Sequence, residues 1–137
     1  MRNLAECIVV VLLLAVLMFF GMTVEAGDKE RKSFRHYVVA TAYCPCEECC
    51  GEHADGRTAT GRDAYKAGVA VDPKHFPLGT RFDIPGYERG PNGNGSWVLA
   101  DDTGEDINGM KIDVRFRTHR EAKKWGKKRI KIRVWYP

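Results

Sequence analysis

The chain has 137 residues, enough for one small domain, and its 22 basic and 18 acidic residues give a net charge of +4. A basic balance favours partners such as anionic cell-wall polymer, anionic lipid or nucleic acid. The sequence contains no nucleic-acid-binding motif that we recognise, so we do not expect nucleic acid as a partner.

The chain begins with a segment typical of exported proteins. Residues 8–24 carry no charge and are mostly large apolar residues, and Val24-Glu25-Ala26 resembles a small-x-small cleavage site. This order predicts a signal peptide over residues 1–26. Seventeen uncharged residues are also just enough for a short spanning helix, so a retained membrane anchor formed by residues 8–24 remains an alternative. Either way, we expect the rest of the chain to be exported to the periplasm, the cell envelope or the medium.

The remainder divides into a polar tether, residues 27–35, and one domain, residues 36–137. Apolar or alternating runs predict six strands, over residues 36–42, 68–72, 80–84, 96–100, 110–116 and 129–136. One short helix is predicted over residues 118–125, because Thr118 with Glu121 fits a capping box and Gly126 fits the position after the last turn. Short strands, one helix and Gly/Pro turns indicate a mainly β domain, either a barrel or a sandwich.

Three aspartates stand near strand ends or inside strands. Asp72 precedes a proline, Asp102 begins an Asp-Thr-Gly turn, and Asp113 lies within an alternating strand. If the three converge on one cleft, repulsion and burial would raise at least one pKa. A carboxyl group that stays protonated can donate its proton to the leaving oxygen of a glycosidic bond. Taken singly, Asp72 and Asp102 also fit ordinary turns, and Asp113 also fits a solvated face.

The part of the chain from residue 38 to residue 134 contains several short blocks in the order of a known family. They are Ala-Thr-Ala-Tyr at 40–43, Thr-Ala-Thr-Gly at 58–61, Ala-Val-Asp-Pro at 70–73, Pro-Leu-Gly-Thr at 77–80, Ile-Pro-Gly-Tyr at 84–87, Ala-Asp-Asp-Thr-Gly at 100–104, Ile-Asn-Gly at 107–109 and Ile-Asp-Val at 112–114. The sequence resembles the three-aspartate, or 3D, domain family, which is related to the catalytic barrel of membrane-bound lytic transglycosylase A. The loop at 88–95 is longer than the turn expected there.

The resemblance implies a six-stranded double-psi β-barrel with a groove for a glycan strand. It assigns the acid/base role to Asp113 and supporting catalytic roles to Asp102 and Asp72. Contacts with the glycan are expected from Thr58, Tyr43 and Lys111. The implied activity is that of a monomeric peptidoglycan lytic transglycosylase that requires no cofactor. Such an enzyme cuts the bond between N-acetylmuramic acid and N-acetylglucosamine and leaves a 1,6-anhydro sugar.

The alternative is a non-catalytic module, because related double-psi barrels include wall-loosening proteins that bind polysaccharide without cutting it. A binding module would tolerate the loss of the three aspartates, all of which are present here. A third alternative is a structural metal or redox module built on the cysteine loop, but that loop accounts for only a small part of the chain.

The cysteine loop holds Cys44, Cys46, Cys49 and Cys50 within seven residues. Four thiols could bind one tetrahedral metal ion, most plausibly zinc, with His53 as a further candidate ligand. Zinc sites usually take ligands from two separated segments, and disulfides are the default in an oxidising compartment. The sequence therefore favours disulfides over a metal, although adjacent cysteines such as Cys49 and Cys50 would pair with each other only under strain.

Overall fold

The structure is a computed structural model and describes residues 32–87 and 97–137. The predicted signal peptide or anchor, most of the tether and the loop at 88–96 lie outside these ranges. Within the two described ranges, no helix combines the length and the apolar character needed to cross a lipid bilayer.

Six strands form a closed barrel. They are β1 (Phe34–Tyr43), β2 (Val69–Val71), β3 (Arg81–Asp83), β4 (Val98–Asp102), β5 (Lys111–Arg115) and β6 (Lys128–Trp135), joined in the order β1-β5-β2-β4-β3-β6. The pairs β1–β5 and β2–β4 are parallel, and the other four are antiparallel. The expected mainly β, six-stranded barrel is therefore confirmed, with mixed pairing and an interleaved strand order.

Alternation along the strands builds the core. On β5, Ile112 and Val114 are fully buried, as the alternating pattern predicts, and Ile132 and Val134 on β6 face the same interior. The buried rings of Phe76 and Phe82 meet edge to face, with centroids 5.2 Å apart. Because side chains on one face of a strand are two residues apart, this core fixes which residues of each strand face away from it.

The predicted helix is present as α2 (His119–Trp125). A one-turn helix, α1 (Glu47–Cys50), precedes it along the chain and lies in the cysteine loop. Thr118 accepts the backbone N–H of Glu121, whose carboxylate accepts the N–H of Thr118, so the capping box is confirmed. Gly126 follows the last turn with φ of 68°, where a glycine is favoured. α1 and the 3₁₀ turn Gly51–His53 were not predicted.

Two strand boundaries differ from the prediction in ways that matter for the cleft. β1 begins at Phe34, inside the segment assigned to the tether, because its first residues pair with β6 as far as Val134. β4 continues to Asp102, because the strand stays paired with β2 up to that residue. Asp102 is therefore held by a strand, where the Asp-Thr-Gly sequence suggested a turn.

The short strand β2 lies between β5 and β4 and brings two of the aspartates together. Ala70 on β2 pairs with Asp113 on β5 at one side and with Asp102 on β4 at the other. Paired residues on neighbouring strands project from the same face, and strands lie about 4.8 Å apart, so the Cα atoms of the aspartates are separated by roughly 10 Å.

Candidate active site

A cleft of about 890 Å³ opens over this part of the barrel. Its lining includes Asp113, Asp102 and the small Ala70 between them, together with Tyr43 and Thr58. Part of the cysteine loop forms another wall. The volume is within the range of pockets that hold a ligand of several ring units. Four residues expected from the sequence to form the site therefore line one cleft.

Asp113 is a half-buried carboxyl that accepts one side-chain hydrogen bond from the residues that the structure describes. Thr41, opposite it on β1, donates its hydroxyl hydrogen to Oδ1 over 2.8 Å. Burial raises the pKa of Asp113 above its ordinary value, and the nearby charge of Asp102 adds to the rise. The Thr41 hydrogen bond and the charge of Lys111 lower this pKa, but less than burial raises it. Asp113 is thus suited to carry a proton at higher pH than an exposed aspartate does.

Asp102 is held by several donors. Its Oδ2 accepts the phenolic hydrogen of Tyr43 over 2.6 Å, and its Oδ1 accepts the backbone N–H of Ala59 and of Thr103 over 2.9 and 3.0 Å. The guanidinium of Arg115 lies 3.6 Å from Oδ2. Burial raises the pKa of Tyr43, which keeps this phenol a neutral donor. Asp102 is consequently fixed in orientation, whereas Asp113 carries a single hydroxyl donor from a side chain.

A buried ion pair, which no sequence pattern predicted, lies beneath the cleft and supports it. Arg115 follows the alternation onto the same face as Asp113, yet its side chain is fully buried. Its Nη2 donates to Asp101 over 2.8 Å, its Nη1 donates to the hydroxyl oxygen of Tyr43 over 3.0 Å, and its Nε donates to the carbonyl of Lys66. The chain of contacts from Arg115 through Tyr43 thus ends on Asp102.

Gly68, just before β2, makes room for this guanidinium. A Cβ atom built at Gly68 would lie 2.1 Å from Nη2 of Arg115 and 2.5 Å from Oδ1 of Asp101. No side chain larger than hydrogen fits beside the buried pair. The small residue here is explained by close approach to a side chain, and its backbone angles need no glycine.

The loop carrying Thr58 supplies the backbone N–H of Ala59 to Asp102, and other hydrogen bonds hold this loop in place. The hydroxyl oxygen of Thr58 accepts the backbone N–H of Arg62 over 3.1 Å, and the hydroxyl of Thr60 donates to the carbonyl of Asp101. These bonds anchor the loop that supplies the Ala59 N–H to Asp102. Thr58 is itself buried, so it lies at the cleft mainly as a support for this loop.

Two other residues expected at the site lie outside the cleft lining. Asp72 accepts the backbone N–H of Gly109 over 2.8 Å and that of Lys74 over 3.0 Å, and the Gly109 bond is the main cause of its lowered pKa. Lys111 donates through Nζ to the carbonyl of Asp106. Asp72 therefore ties the turn after β2 to the residues preceding β5. The structure brings two of the three aspartates into the cleft lining and places the third elsewhere.

The cysteines of the loop at 44–50 are free thiols in this structure. The disulfides that the sequence favoured are not formed among them. The thiols of Cys44, Cys46 and Cys49 instead converge on one point together with an imidazole nitrogen of His119, the first residue of α2. His53, the candidate ligand chosen from the sequence, is not part of this group and lines the cleft.

Known proteins of similar sequence include two whose names refer to the cell wall. The putative cell wall shaping protein YabE of Bacillus subtilis (strain 168) is 37% identical over 98 residues, covering 71% of this chain and 22% of that protein. The cell wall-binding protein YocH of the same organism is 36% identical over 101 residues, covering 71% and 31%. The SPbeta prophage-derived uncharacterized protein YorM, also from this strain, is 36% identical over 104 residues, covering 71% and 40%. This chain therefore spans less than half the length of each of these relatives.

Because these relatives match this chain over only part of their own length, the family is assigned from a family model. The model of the 3D domain matches residues 67–136, about half of the chain. The matched range includes all three aspartates and every strand from β2 to β6. The chain belongs to the 3D domain family.

Proposed function

We propose that this protein acts on the bacterial cell wall outside the cytoplasm, as a lytic transglycosylase that cuts peptidoglycan glycan strands. The observation that carries the proposal is the half-buried Asp113 carboxyl, which lines a cleft and has a pKa raised by burial. Membership of the 3D domain family, and relatives named for cell-wall shaping and binding, support the cell-wall role.

The proposed reaction needs one group that first gives a proton and then takes one. Protonated Asp113 donates to the oxygen between N-acetylmuramic acid and N-acetylglucosamine, and that bond breaks as positive charge develops at the muramyl C1. The carboxylate then removes the proton from the muramyl C6 hydroxyl, whose oxygen bonds to C1. The products are a free sugar end and a 1,6-anhydro sugar, no water is consumed, and Asp113 regains its proton.

In this mechanism Asp102 acts through its charge and its position. Its carboxylate raises the pKa of Asp113, which favours the proton-carrying form needed for the first step. Tyr43 and Arg115 hold Asp102 from the buried side, so they are positioning residues. Asp72 holds the segment before β5 through Gly109 and therefore supports the strand that carries Asp113.

The charge of the cleft favours an uncharged part of the wall as the ligand. Among the residues that the structure describes, six carboxylic side chains line the cleft against one guanidinium, that of Arg57. The six belong to Glu52, Asp55, Asp102, Glu105, Asp106 and Asp113. An anionic polymer would be repelled there, although the whole chain is basic. Sugar rings carry hydroxyl and amide groups that can donate to these carboxylates without bringing negative charge.

The test is to incubate the purified full chain with peptidoglycan and analyse the soluble products by mass spectrometry. Anhydro-muropeptides are expected with the wild-type chain and not with Asp113→Asn. Products with ordinary reducing ends would instead indicate hydrolysis, and their appearance would overturn the transglycosylase assignment while leaving glycan cleavage in place.

A second candidate is a non-catalytic cell-wall-binding module, and the name of the relative YocH favours it. Sedimentation with insoluble peptidoglycan separates the two. A binding module would sediment with the wall, release no soluble fragments, and behave in the same way when Asp113 is changed to Asn. A cleaving enzyme would release fragments, and Asp113→Asn would sediment with the wall without releasing them.

A further inference from the structure

Four potential metal-ligand atoms from two distant segments meet at the edge of the cleft. They are the sulfurs of Cys44, Cys46 and Cys49 and one imidazole nitrogen of His119, and all lie within 4.8 Å of one another. The sulfurs of Cys44 and Cys49 are 3.3 Å apart, and the Cys49 sulfur is 3.4 Å from Nδ1 of His119. Tetrahedral zinc with usual bond lengths needs sulfur–sulfur edges of about 3.8 Å and sulfur–nitrogen edges of about 3.6 Å. The four atoms are therefore close to the corners that zinc requires.

Local structure explains how a tight loop reaches this arrangement. Cys44 follows directly after β1 and is buried. The carbonyl of Cys46 accepts the backbone N–H of both Cys49 and Cys50, which winds the chain into the single turn of α1. Residues three apart in such a turn lie on the same side, so the sulfurs of Cys46 and Cys49 both face Cys44.

His119 supplies the fourth corner from the other segment. Its Nε2 lies 2.9 Å from a carboxylate oxygen of Glu48, while Nδ1 faces the sulfurs. A carboxylate on the outer nitrogen of a histidine fixes its tautomer and leaves the inner nitrogen free to bind a metal. A disulfide between two of the cysteines would not explain why an imidazole nitrogen is oriented towards their sulfurs. With His119, the four ligand atoms come from two separated segments, as they usually do in zinc sites.

We propose that Cys44, Cys46, Cys49 and His119 bind one Zn²⁺ ion as a structural site. Four protein ligands complete a tetrahedral shell and leave no open position, which is typical of structural zinc and not of catalytic zinc. The three thiols release their protons to solvent on binding, so three thiolates, a neutral imidazole and Zn²⁺ together carry a charge of minus one.

The ion would connect the cysteine loop to the start of α2. Cys49 and the following loop residues form one wall of the cleft, so this connection fixes that wall in place. The proposal does not depend on glycan cleavage, because it concerns which atoms hold the loop. A non-catalytic cell-wall binder could carry the same site.

Cys50 provides a matched control within the same loop. Its sulfur donates to the carbonyl of Cys44 over 3.2 Å and is not one of the four converging atoms. Cys50→Ser and Cys46→Ser are therefore the same chemical change at the last residue of α1 and at the residue that precedes the helix. The proposal requires metal loss in the second and not in the first.

The experiment measures bound metal in the full chain, purified without added reductant, by inductively coupled plasma mass spectrometry. One zinc ion per chain is expected for the wild type and for Cys50→Ser, and none for Cys46→Ser. A thiol reagent should modify Cys44, Cys46 and Cys49 only after a chelator has removed the ion. Glu48→Gln should retain the ion with an affinity about tenfold to a hundredfold lower.

His119→Ala should also lose the ion, and His119→Cys guards against simple misfolding because four thiolates can bind zinc equally well. Substitution with Co²⁺ reports the ligands directly, since the His119→Cys spectrum should gain sulfur-to-metal charge-transfer absorption over the wild type. Two results would overturn the proposal. One is a wild-type chain without zinc in which mass spectrometry finds disulfides within the loop. The other is equal metal loss in Cys50→Ser and Cys46→Ser.

Discussion

Thr41 and Asp113 face each other across the parallel pair β1–β5, and the Thr41 hydroxyl donates to Oδ1 of Asp113 over 2.8 Å. This bond stabilises the charged carboxylate, whereas burial of the same carboxyl favours the protonated form. Burial is the larger effect, so the pKa of Asp113 stays above its ordinary value. The Thr41 hydroxyl, together with the charge of Lys111, thus limits how far the pKa of the proposed acid is raised.

The pH dependence of cleavage should respond to this hydroxyl. If Asp113 must start protonated, the cleavage rate falls as pH rises through its raised pKa. Thr41→Val removes the bond that favours the charged form, so the pKa rises further and the alkaline limb moves to higher pH. Rates of anhydro-muropeptide release across a pH series measure the limb. Thr41→Ser keeps the hydroxyl and should leave the limb in place; a limb that stays put in Thr41→Val would exclude Asp113 as the titrating group.

Asp113→Asn should separate catalysis from stability. Asparagine cannot transfer the proton, so we expect cleavage to fall by about 10²- to 10⁴-fold. The raised pKa means that ionising Asp113 costs folding free energy once pH exceeds the ordinary aspartate value, and asparagine avoids this cost. At neutral pH the variant should therefore melt at the same temperature as the wild type or higher. A clear loss of stability would show that Asp113 is mainly a structural residue.

Tyr43→Phe should weaken the fold through two partners at once, the half-buried Asp102 and the buried Arg115. The change leaves Asp102 without its 2.6 Å donor and removes the acceptor for Nη1 of Arg115, and we expect a loss of about 1–3 kcal/mol in the free energy of unfolding. Urea denaturation measures it. Tyr37 is 59% exposed, so Tyr37→Phe is the matched control, expected within about 0.5 kcal/mol of wild type. Equal effects of the two changes would contradict a supporting role for Tyr43.

Sequence periodicity predicted the strands, because they alternate between core and non-core side chains, whereas the choice of a barrel over a sandwich came from the family resemblance. The same periodicity placed Arg115 on the non-core face with Asp113, but it could not show that this face becomes buried at Arg115. That burial depends on Asp101 and the Lys66 carbonyl, which come from two other segments. His119 was missed for a related reason, since it lies 70 residues from Cys49 and no local pattern connects them.

The family resemblance predicted one site for all three aspartates, but the strand register accounts for only two of them. The resemblance grouped Asp72, Asp102 and Asp113 in one site by their order along the chain. The register explains the grouping of two, because Asp102 and Asp113 both pair with Ala70. Asp72 lies two residues further along the chain from Ala70 and binds the backbone of Gly109 instead. Sequence spacing alone cannot show whether a carboxylate at the end of a short strand, such as that of Asp72, faces the cleft or binds a neighbouring turn.

Gly68→Ala should be among the most destabilising alanine substitutions in the chain. Its Cβ would lie 2.1 Å from Nη2 of Arg115, and the guanidinium cannot move without breaking its pair with Asp101. Overpacking and a broken buried ion pair together imply a loss of about 3 kcal/mol or more. Gly61→Ala is the control: no atom lies within 4 Å of its Cβ, so only the positive φ of 79° costs free energy, about 1–2 kcal/mol. If Gly61→Ala proved the more damaging change, the close approach at Gly68 would be disproved.

Asp72→Asn should reveal a residue that supports the site from outside the cleft. Hydrogen bonds, chiefly from the Gly109 N–H, lower the pKa of Asp72 in the folded chain. A lowered folded pKa stabilises the protein at pH values above the ordinary aspartate pKa, and this contribution is lost as pH falls towards the folded value. The melting temperature of Asp72→Asn should therefore be lower than that of the wild type at neutral pH, and the gap should close on acidification. At temperatures where the variant is folded, its cleavage rate with saturating peptidoglycan should stay well above that of Asp113→Asn. Equal loss of cleavage in a fully folded Asp72→Asn would instead place Asp72 in the proton-transfer machinery.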